Sequence, residues 1–526
     1  MTEVRGRDQP TSLVELCVSK LAQVLIRYGP KKVRFSLLTE LPHTVLESLI
    51  DTLVARNALN DNVLLHALTR RTQKLGLEGA FQVRRCFLNT VGRSCPSLQV
   101  LDVRGCHQVD NRIVRDVLQC CEELSILRLD GCTKISDSAF APGLWKPPLV
   151  GLLGLRDLSV ARCGQITAEG LLGSVMKCTP LLRTLGLENC RSAVTDDVAT
   201  ELLFSFGLES LDLSSCSQVT DAPFVERPST TLRELRLANT CISDTAVEGI
   251  ARRAPHLEVV DVGCVMKFTD SGLCSLTRYC RKLRDVCVSY TQVTDRAFEA
   301  LAQCECLERL DASWCLKPTV AALEILALPT TRPPLREFIF DHLGSLNLGL
   351  CASGGGLTML PPALLRESKS EKSGSLRSPG LAPASPPRAL RSMSCEAPSA
   401  WSLPAAAVST DRPIQHGWSP GSKFLEVPPQ SSNMPESNPA SPLGACEPLP
   451  SLQLLAVAYA AQIEALLLEG MHSIITAAAL DAIATSCPNL QQLALTLQDH
   501  KDSDAAVEAG FKAISSGCPW LWLGRL

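Results

Sequence analysis

The sequence LESLDLSSCSQVTD at residues 208–221 decides the fold of this chain. Its leucines alternate with polar residues at a period of two, which predicts a short β-strand with one buried face. A small cysteine follows the strand, and the pair Thr220 and Asp221 then offers side-chain oxygens to the free N–H groups of a helix start. The stretch therefore predicts a strand, a tight turn and the beginning of a helix.

The same pattern returns along the chain at a nearly constant interval. It reads LQVLDVRGCHQVD from Leu98, LSILRLDGCTKISD from Leu124 and LRELRLANTCISD from Leu232. One buried strand position of each copy serves as a marker, and successive markers are 24 to 31 residues apart. The markers are Leu77, Val103, Leu129, Val160, Leu187, Leu213, Leu237, Val262, Val288, Ala312 and Phe340. A period of this length predicts a solenoid, in which each repeat buries its apolar face against its neighbours.

The composition of the 526 residues agrees with such an array. Hydrophobic residues make up 45% but aromatic residues only 4%, so aliphatic side chains and cysteine must fill the core. There are 51 Lys and Arg against 54 Asp and Glu, and the net charge of −3 gives no general attraction to phosphate backbones or anionic membranes. We therefore expect neither nucleic acid nor a membrane as a partner.

The chain is expected to work in the cytoplasm, the nucleus or both. Residues 1–11 are polar and charged and lack the apolar stretch of a secretory signal. The most apolar stretch, residues 452–468, is interrupted by Gln462 and Glu464 and falls short of the roughly 20 residues that span a bilayer. Without an export signal, the 24 cysteines predict reduced thiols and not a disulfide framework.

The repeats at about residues 72–345 resemble the cysteine-containing leucine-rich repeats of F-box receptors and ribonuclease-inhibitor-like horseshoes. The slot after the strand holds Cys106, Cys132, Cys163, Cys190, Cys216 and Cys315, or Thr240, Val265 and Thr291. The resemblance implies an α/β fold, a leucine-rich repeat solenoid with a concave parallel sheet and a convex helical layer. Further markers at Leu468, Leu495 and Leu523 raise the expected number to about 14 repeats.

The marker spacing divides the chain into four parts. Residues 1–70 form a helical segment, 71–350 leucine-rich repeats, 351–450 an insertion, and 451–526 C-terminal leucine-rich repeats. The insertion is rich in Ser, Pro, Gly and Ala, so it is predicted to be disordered. Candidate phosphorylation sites within it are Ser378, Ser385, Ser419 and Ser441, each before a proline, and Ser392 and Ser394 in an arginine-containing stretch. The alternative is that the insertion is an inert tether.

The last predicted strand lies at residues 519–526, and the chain ends three residues after its marker. We expect the open edge of this strand to favour self-association or a partner at this end, unless the chain is a shortened splice form.

The helical segment is predicted to hold three helices. Apolar residues at helical spacing predict the first at about residues 12–27, with a stripe that should pack on another element. The stripe is Leu13, Leu16, Cys17, Leu21, Val24, Leu25 and Tyr28. A second helix is predicted from Pro42, with the stripe Val45, Leu46, Leu49, Ile50 and Leu53. A third should follow Asn60 and Asp61 and carry Leu64, Leu65 and Leu68.

Two stretches in this segment resemble known adaptor boxes. SLVELCVSKL at residues 12–21 is similar to the elongin-binding box, in which a small residue and Leu are followed at fixed spacing by a small residue and an aliphatic one. LPHTVLESL at residues 41–49 is similar to the cullin-2 box, a hydrophobic–Pro pair followed by aliphatics four residues apart. Both boxes directly before leucine-rich repeats resemble the Zyg/Zer-type substrate receptors of cullin-2 ubiquitin ligases.

The resemblance implies a substrate-recognition subunit of a cullin-RING E3 ubiquitin ligase that binds elongin B/C, cullin-2 and a protein substrate. Elongin C would contact Leu13, Cys17 and Leu21, and the cullin would contact Leu41, Pro42, Val45 and Leu49. Two alternatives stay open. Residues 41–68 also resemble an F-box, which would bind a Skp-type adaptor and cullin-1. Otherwise the helices only cap the first repeat of a non-ligase scaffold or inhibitor.

No motif for catalysis is found, whether a phosphate-binding loop, a zinc-protease helix, a nucleophile elbow or paired cysteines at zinc spacing. The chain is therefore expected not to be an enzyme and to need neither metal nor cofactor. Candidate substrate-binding residues are the outward strand side chains Asp102, Arg104, Arg128, Asp130, Asp212, Arg236, Asp261 and Asp311. Acidic residues outnumber basic ones there, which favours a basic segment or an N-terminal amine; the alternative is an ordinary solvated face.

Overall fold

Thirteen short strands form one parallel sheet in the part of the chain that the structure describes. The structure, a computed structural model, describes residues 13–32, 38, 40–141, 149–205, 207–226, 231–319, 321–327, 333–341, 451–468, 477–495 and 504–521. Each strand pairs with that of the next repeat, in chain order. The strands are β1 Lys74–Gly76, β2 Val100–Asp102, β3 Ile126–Arg128, β4 Asp157–Ser159, β5 Thr184–Gly186, β6 Ser210–Asp212, β7 Glu234–Arg236, β8 Val259–Asp261, β9 Asp285–Cys287, β10 Arg309–Asp311, β11 Glu337–Ile339, β12 Ala465–Leu468 and β13 Gln492–Leu495.

The predicted period of two is confirmed in the strands. From β2 to β11 the central residue of each strand is buried and its two neighbours are partly exposed. Leu211, for example, lies in register between Leu185 and Leu235 of the adjacent strands. The buried residues therefore stack into one row that continues from repeat to repeat, as a solenoid core requires.

Helices alternate with the strands. They are α1 Leu13–Lys32, α2 His43–Ala55, α3 Asp61–Ala67, α4 Arg85–Leu88, α5 Val91–Ser94, α6 Asn111–Cys120, α7 Gly151–Gly154, α8 Ala168–Gly170, α9 Asp196–Ser205, α10 Ala222–Glu226, α11 Asp244–Arg253, α12 Asp270–Tyr279, α13 Asp295–Leu301, α14 Ala321–Ala327, α15 Ser451–Tyr459, α16 Ala477–Ser486 and α17 Asp504–Gly517. A π-helix at Leu171–Met176 continues α8. The fold is a leucine-rich repeat solenoid.

The cysteine slot has a physical reason that goes beyond size. Each buried thiol at this position points at a backbone carbonyl of the preceding repeat; the Sγ of Cys106 donates to Leu77 O at 3.0 Å and that of Cys216 to Leu187 O at 3.3 Å. In the units that carry threonine, the hydroxyls of Thr240 and Thr291 also donate to strand-end carbonyls. In these repeats a small side chain with a donor therefore pairs a buried carbonyl, which is costly to leave unpaired, whereas Val265 fills the slot of one repeat without a donor.

The repeats before and after the insertion belong to one sheet, as the marker spacing predicts. Strand β11 pairs with β12 in the register Phe338↔Leu466. The hydroxyl of Tyr459 in α15 donates to Leu326 O of α14 at 3.0 Å, and its ring makes an edge contact with Phe338. The chain thus leaves the array after β11 and re-enters it at the next repeat.

Some predictions fall on residues that the structure does not describe. The predicted disorder of residues 351–450, with its candidate phosphorylation sites, lies outside the described residues. So does the marker Leu523 of the last predicted repeat. Within the described ranges, no helix combines the length and the apolarity needed to cross a bilayer.

Candidate functional site

The first helix packs on the second through a narrow face. Val18, Ala22 and Leu25 are buried, and they follow one another at three- and four-residue spacing. A hydrogen bond of 3.0 Å from Arg56, at the end of α2, to the hydroxyl of Ser19 adds a polar contact between the two helices. This buried face holds α1 against α2.

A second apolar face of α1 is exposed in the part of the chain that the structure describes. Leu13 is 76% exposed, Val24 is 43% exposed, and Cys17 between them is exposed as well. At 3.6 residues per turn these three side chains lie within about 40° of one another around the helix axis. Leu21 borders them and is partly buried. We call Leu13, Cys17, Leu21 and Val24 the α1 ridge.

The predicted stripe of this helix is only partly covered by the chain itself. Among its members Leu13, Leu16, Cys17 and Val24 are exposed, while Leu25 is buried. Val18 and Ala22, outside the stripe, face α2 instead. Val14 and Ile26 are also exposed, so apolar residues surround most of the helix, and periodicity alone did not show which of them pack.

Helix α2 seals the open edge of the sheet. In the repeats, two backbone N–H groups at each strand start donate to a carbonyl of the preceding repeat, as those of Gln99 and Val100 do to Gln73 O. Among the described residues β1 is the first strand of the sheet, and the side chain of Glu47 acts as the acceptor for its start. Its Oε1 accepts from Gln73 N at 2.7 Å and Lys74 N at 3.2 Å. The capping role that a solenoid needs is thus supplied by α2.

The four residues predicted to face a cullin differ in accessibility. Pro42, which precedes the first residue of α2, is exposed. Leu41 and Val45 are partly buried against the core. Leu49 is fully buried, because it lies on the face of α2 that packs on the array. It stabilises the helix and offers no surface to a partner.

The eight predicted substrate residues share one face of the sheet, because each is either the last residue of its strand or the second residue after it. At the N-terminal end their charges are paired. Arg104 contacts Asp102 and Glu78, both at 2.8 Å, and Arg128 contacts Asp157 at 3.0 Å. The Oδ1 of Asp130 accepts from Ala161 N at 3.2 Å and from the hydroxyl of Ser159.

Further along the sheet, carboxylates face inward to the backbone. Asp212, Asp261 and Asp311 each accept a hydrogen bond from the backbone N–H two residues later, at 2.9, 2.9 and 3.0 Å. Burial raises the pKa of Asp212 and of Asp261 above the ordinary value. Arg236 lies between these two on β7 and pairs with Glu234 at 3.3 Å. Of the four predicted residues in this part of the face, three are acidic and one is basic, and the preference for basic groups stays a prediction.

The described residues hold no group of three or more His, Cys, Asp or Glu side chains that could bind a metal ion. Burial raises the pKa of Cys132 and of Cys216 to about 12, so these thiols stay protonated and are poor nucleophiles. The surfaces described above are suited to binding.

The chain is similar to one protein family and to two solved structures. The Leucine Rich repeat family matches residues 229–251. A crystal structure of the Rad7 and Elc1 complex in yeast is similar over 60% of this chain and 90% of that chain, with 18% identity and a TM-score of 0.44. A crystal structure of a TLR13–ssRNA13 complex is similar over 58% of this chain and 43% of that chain, with 16% identity and a TM-score of 0.30. Both scores are low, and neither likeness supports a statement about what this chain binds.

Proposed function

We propose that this chain is the substrate receptor of a cullin-RING E3 ubiquitin ligase of the elongin B/C and cullin-2 type. The proposal rests on a difference between the first two helices: α2 closes the edge of the sheet, whereas α1 exposes apolar side chains. Helix α2 seals the array through Glu47 and its buried leucines, so α1 is not needed as a cap. Its uncovered ridge is then a docking surface.

The α1 ridge has the properties of a helix that enters a groove. Such helices bind through a few apolar anchors on one face. Burying a leucine side chain contributes about 1.5–3 kcal/mol, so Leu13, at 76% exposed, is the strongest single anchor of the ridge. Leu13, Cys17 and Leu21 are also the residues through which the helix resembles an elongin-binding box.

The proposed cullin contact rests on the start of α2. Pro42 is exposed and Val45 is partly exposed, so both are available beside α1. Leu49 is excluded from this contact because it is fully buried. The contact is therefore smaller than the sequence resemblance implies.

Substrate recognition is assigned to the open face of the sheet. Its acidic part, around Asp212, Asp261 and Asp311, favours a basic segment of a protein substrate. The chain itself performs no chemistry in this proposal, and ubiquitin transfer belongs to its partners while the receptor holds the substrate close. We propose that the complex works in the cytoplasm, the nucleus or both.

Co-purification from cells tests the adaptor. The full chain is expected to recover elongin B, elongin C and cullin-2, and a variant with Leu13→Ala and Cys17→Ala to lose them. Leu153→Ala is the matched control, because Leu153 is 60% exposed but lies on α7. Retention of elongin C by the double variant would contradict the docking site. Recovery of a Skp-type adaptor with cullin-1 would assign the chain to the F-box class, and recovery of neither adaptor would leave a scaffold.

Thiol labelling tests the contact itself. Cys17, Cys86 and Cys241 are all exposed, so each should react with a maleimide in the isolated chain. Added elongin B/C should protect Cys17 while Cys241, far along the array, keeps its labelling rate. Equal labelling of Cys17 with and without elongin B/C would overturn the proposed ridge contact.

A further inference from the structure

A groove crosses the helical layer over α11, α12 and α13. It has a volume of about 420 Å³, and a second groove of about 300 Å³ adjoins it. Cys274, Arg278 and Arg296 line both. The two grooves together collect four arginines, the other two being Arg252 and Arg281.

Most of these arginines have no carboxylate partner. Arg252 pairs with Glu248 at 2.6 Å. Among the residues that the structure describes, Arg278, Arg281 and Arg296 form no ion pair. All three are exposed. The groove therefore presents guanidinium groups whose hydrogen-bond donors are available to an anion.

The acidic groups at the groove are too few or too occupied to neutralise it. Three carboxylates line it, Glu248, Asp270 and Glu299, against the four arginines. Asp270 accepts two hydrogen bonds from Thr294, both at 2.7 Å, so its oxygens face the next repeat. Glu248 is held by Arg252. The four arginines therefore exceed the three carboxylates, two of which already accept hydrogen bonds from other side chains.

Tyr279 positions two of the guanidinium groups. The Cζ of Arg252 lies 5.7 Å and that of Arg278 5.5 Å from the centre of the Tyr279 ring. Cation–π contacts of this kind hold like-charged groups close together before any ligand arrives. The hydroxyls of Ser271 and Ser275 line the same groove and add uncharged donors.

We propose that this groove binds a phosphorylated serine or threonine segment of a protein. A phosphoryl group carries about two negative charges and three acceptor oxygens, which match several guanidinium forks, whereas one carboxylate is satisfied by one arginine. Glu248 and Glu299 also line the grooves, and their negative charge disfavours an extended phosphate backbone more than a single phosphoryl group. The site is independent of the α1 ridge and holds whether or not α1 docks an adaptor.

Fluorescence anisotropy with the full chain tests the site. The probe is a labelled peptide library with one fixed phosphoserine between randomised positions, and the reference is the same library with serine. The phosphorylated library should bind at least tenfold more tightly, and inorganic phosphate should compete only weakly. Equal affinity for the two libraries would overturn the proposal, and so would a single-stranded RNA that binds the groove more tightly than the phosphorylated library.

Variants then locate the binding. Arg278→Ala with Arg296→Ala should abolish the preference for phosphoserine, and Arg278→Lys should reduce it, because lysine keeps the charge but loses the fork. Arg112→Ala is the control, since Arg112 is an exposed arginine on α6, outside the groove. Because the substituted side chains are exposed, the circular dichroism spectrum should stay unchanged. Phosphopeptide binding that survives the double alanine variant would refute the site.

Discussion

The carboxylate of Glu47 accepts the two backbone hydrogen bonds at Gln73 and Lys74 that a carbonyl of the preceding repeat accepts elsewhere in the array. It accepts from Gln73 N at 2.7 Å and Lys74 N at 3.2 Å, while in the next repeat Gln73 O accepts from Gln99 N and Val100 N at 2.8 and 2.9 Å. One side chain thus imitates the preceding repeat and ends the array.

Glu47→Ala should therefore destabilise the start of the array by about 1–3 kcal/mol, since two backbone donors lose a charged acceptor. Glu47→Gln keeps a neutral acceptor and should have a smaller effect. Hydrogen exchange measures this directly, because the amides of Gln73 and Lys74 should exchange faster in the alanine variant. The exposed Glu40 provides the control as Glu40→Ala. Unchanged exchange at both amides would show that Glu47 does not close the sheet.

Hydrogen bonds to aspartate carboxylates also link successive repeats along the helical layer. Asp244 accepts from Thr269 N at 2.8 Å and from the Thr269 hydroxyl at 2.6 Å, 25 residues further along the chain. The same two bonds recur in the pairs Asp137 and Thr167, Asp196 and Thr220, Asp221 and Ser243, Asp270 and Thr294, and Asp295 and Thr319.

Asp244→Ala should cost about 1.5–3 kcal/mol, because a charged acceptor of two hydrogen bonds is removed. The midpoint of urea unfolding measures the loss. Asp197→Ala is the matched control, since Asp197 is an exposed residue in the first turn of α9. If both variants shifted the midpoint equally, the link to Thr269 would not contribute to stability.

The buried cysteines of the slot should make the folded chain less stable at alkaline pH. Burial raises the pKa of Cys132 and Cys216 to about 12 and that of Cys106 and Cys190 to about 11. The thiols of the unfolded chain have a pKa near 9, so the stability that the protonated buried thiols contribute is fully present below pH 9. It is lost as the pH rises toward the folded-state values, at about 1.4 kcal/mol per pH unit for each thiol.

Replacing Cys132 and Cys216 by Thr should make this loss shallower by about 2.7 kcal/mol per pH unit, because two titrating groups are removed. Threonine already fills the slot at Thr240 and Thr291, so the substitution suits the site. Urea unfolding under reducing conditions, at several pH values above about 9, gives the slope. An unchanged slope in the double variant would exclude buried thiols as the cause.

Substitutions of Leu13 and of Leu49 should have different effects, the first on partner binding and the second on stability. Leu49 is fully buried, so Leu49→Ala should cost about 2–5 kcal/mol of stability. Leu13 is 76% exposed, so Leu13→Ala should change stability by less than about 0.5 kcal/mol while it weakens elongin C binding. Thermal unfolding and an elongin C binding assay, run on both variants, give the two readings. A large loss of stability in Leu13→Ala would show that the ridge belongs to the core.

The sequence predicted the repeating elements well, because their pattern is local. The alternation around Leu211 predicted β6, and the stripe from Leu46 to Leu53 predicted the buried face of α2. The buried face of α1 was not predicted, since Leu13, Val18 and Val24 are similarly apolar and only the position of α2 decides which one is covered. The repeat spacing could also have predicted that Arg252 and Arg278 lie close together. They are one repeat apart, which places them on the neighbouring helices α11 and α12.

The link between Asp244 and Thr269 shows a second limit of the sequence. The threonine–aspartate pairs were predicted as caps within a helix start, and Thr269 does cap α12 by accepting from Ser271 N. The aspartates act between repeats instead. That role depends on how neighbouring turns stack, which no single repeat reveals.

Tyr459 joins the repeats on the two sides of the insertion, and its hydroxyl should be the sensitive point of that junction. The oxygen lies 3.0 Å from Leu326 O, in the last turn of α14, where helix carbonyls lack intrahelical partners. Tyr459→Phe keeps the ring contact with Phe338 at 4.9 Å but removes the hydrogen bond that the buried Leu326 carbonyl accepts from the hydroxyl. We expect a loss of about 1–2 kcal/mol in the free energy of urea unfolding.

The matched control is Tyr290→Phe, because the Tyr290 ring is partly exposed beside Trp314. This change should stay within about 0.5 kcal/mol. Hydrogen exchange adds a local reading, since amides of α14 and α15 should lose protection in Tyr459→Phe while those of α11 keep it. If protection fell equally in all three helices, or in none of them, the hydroxyl of Tyr459 would not be what fastens the C-terminal repeats to the rest of the array.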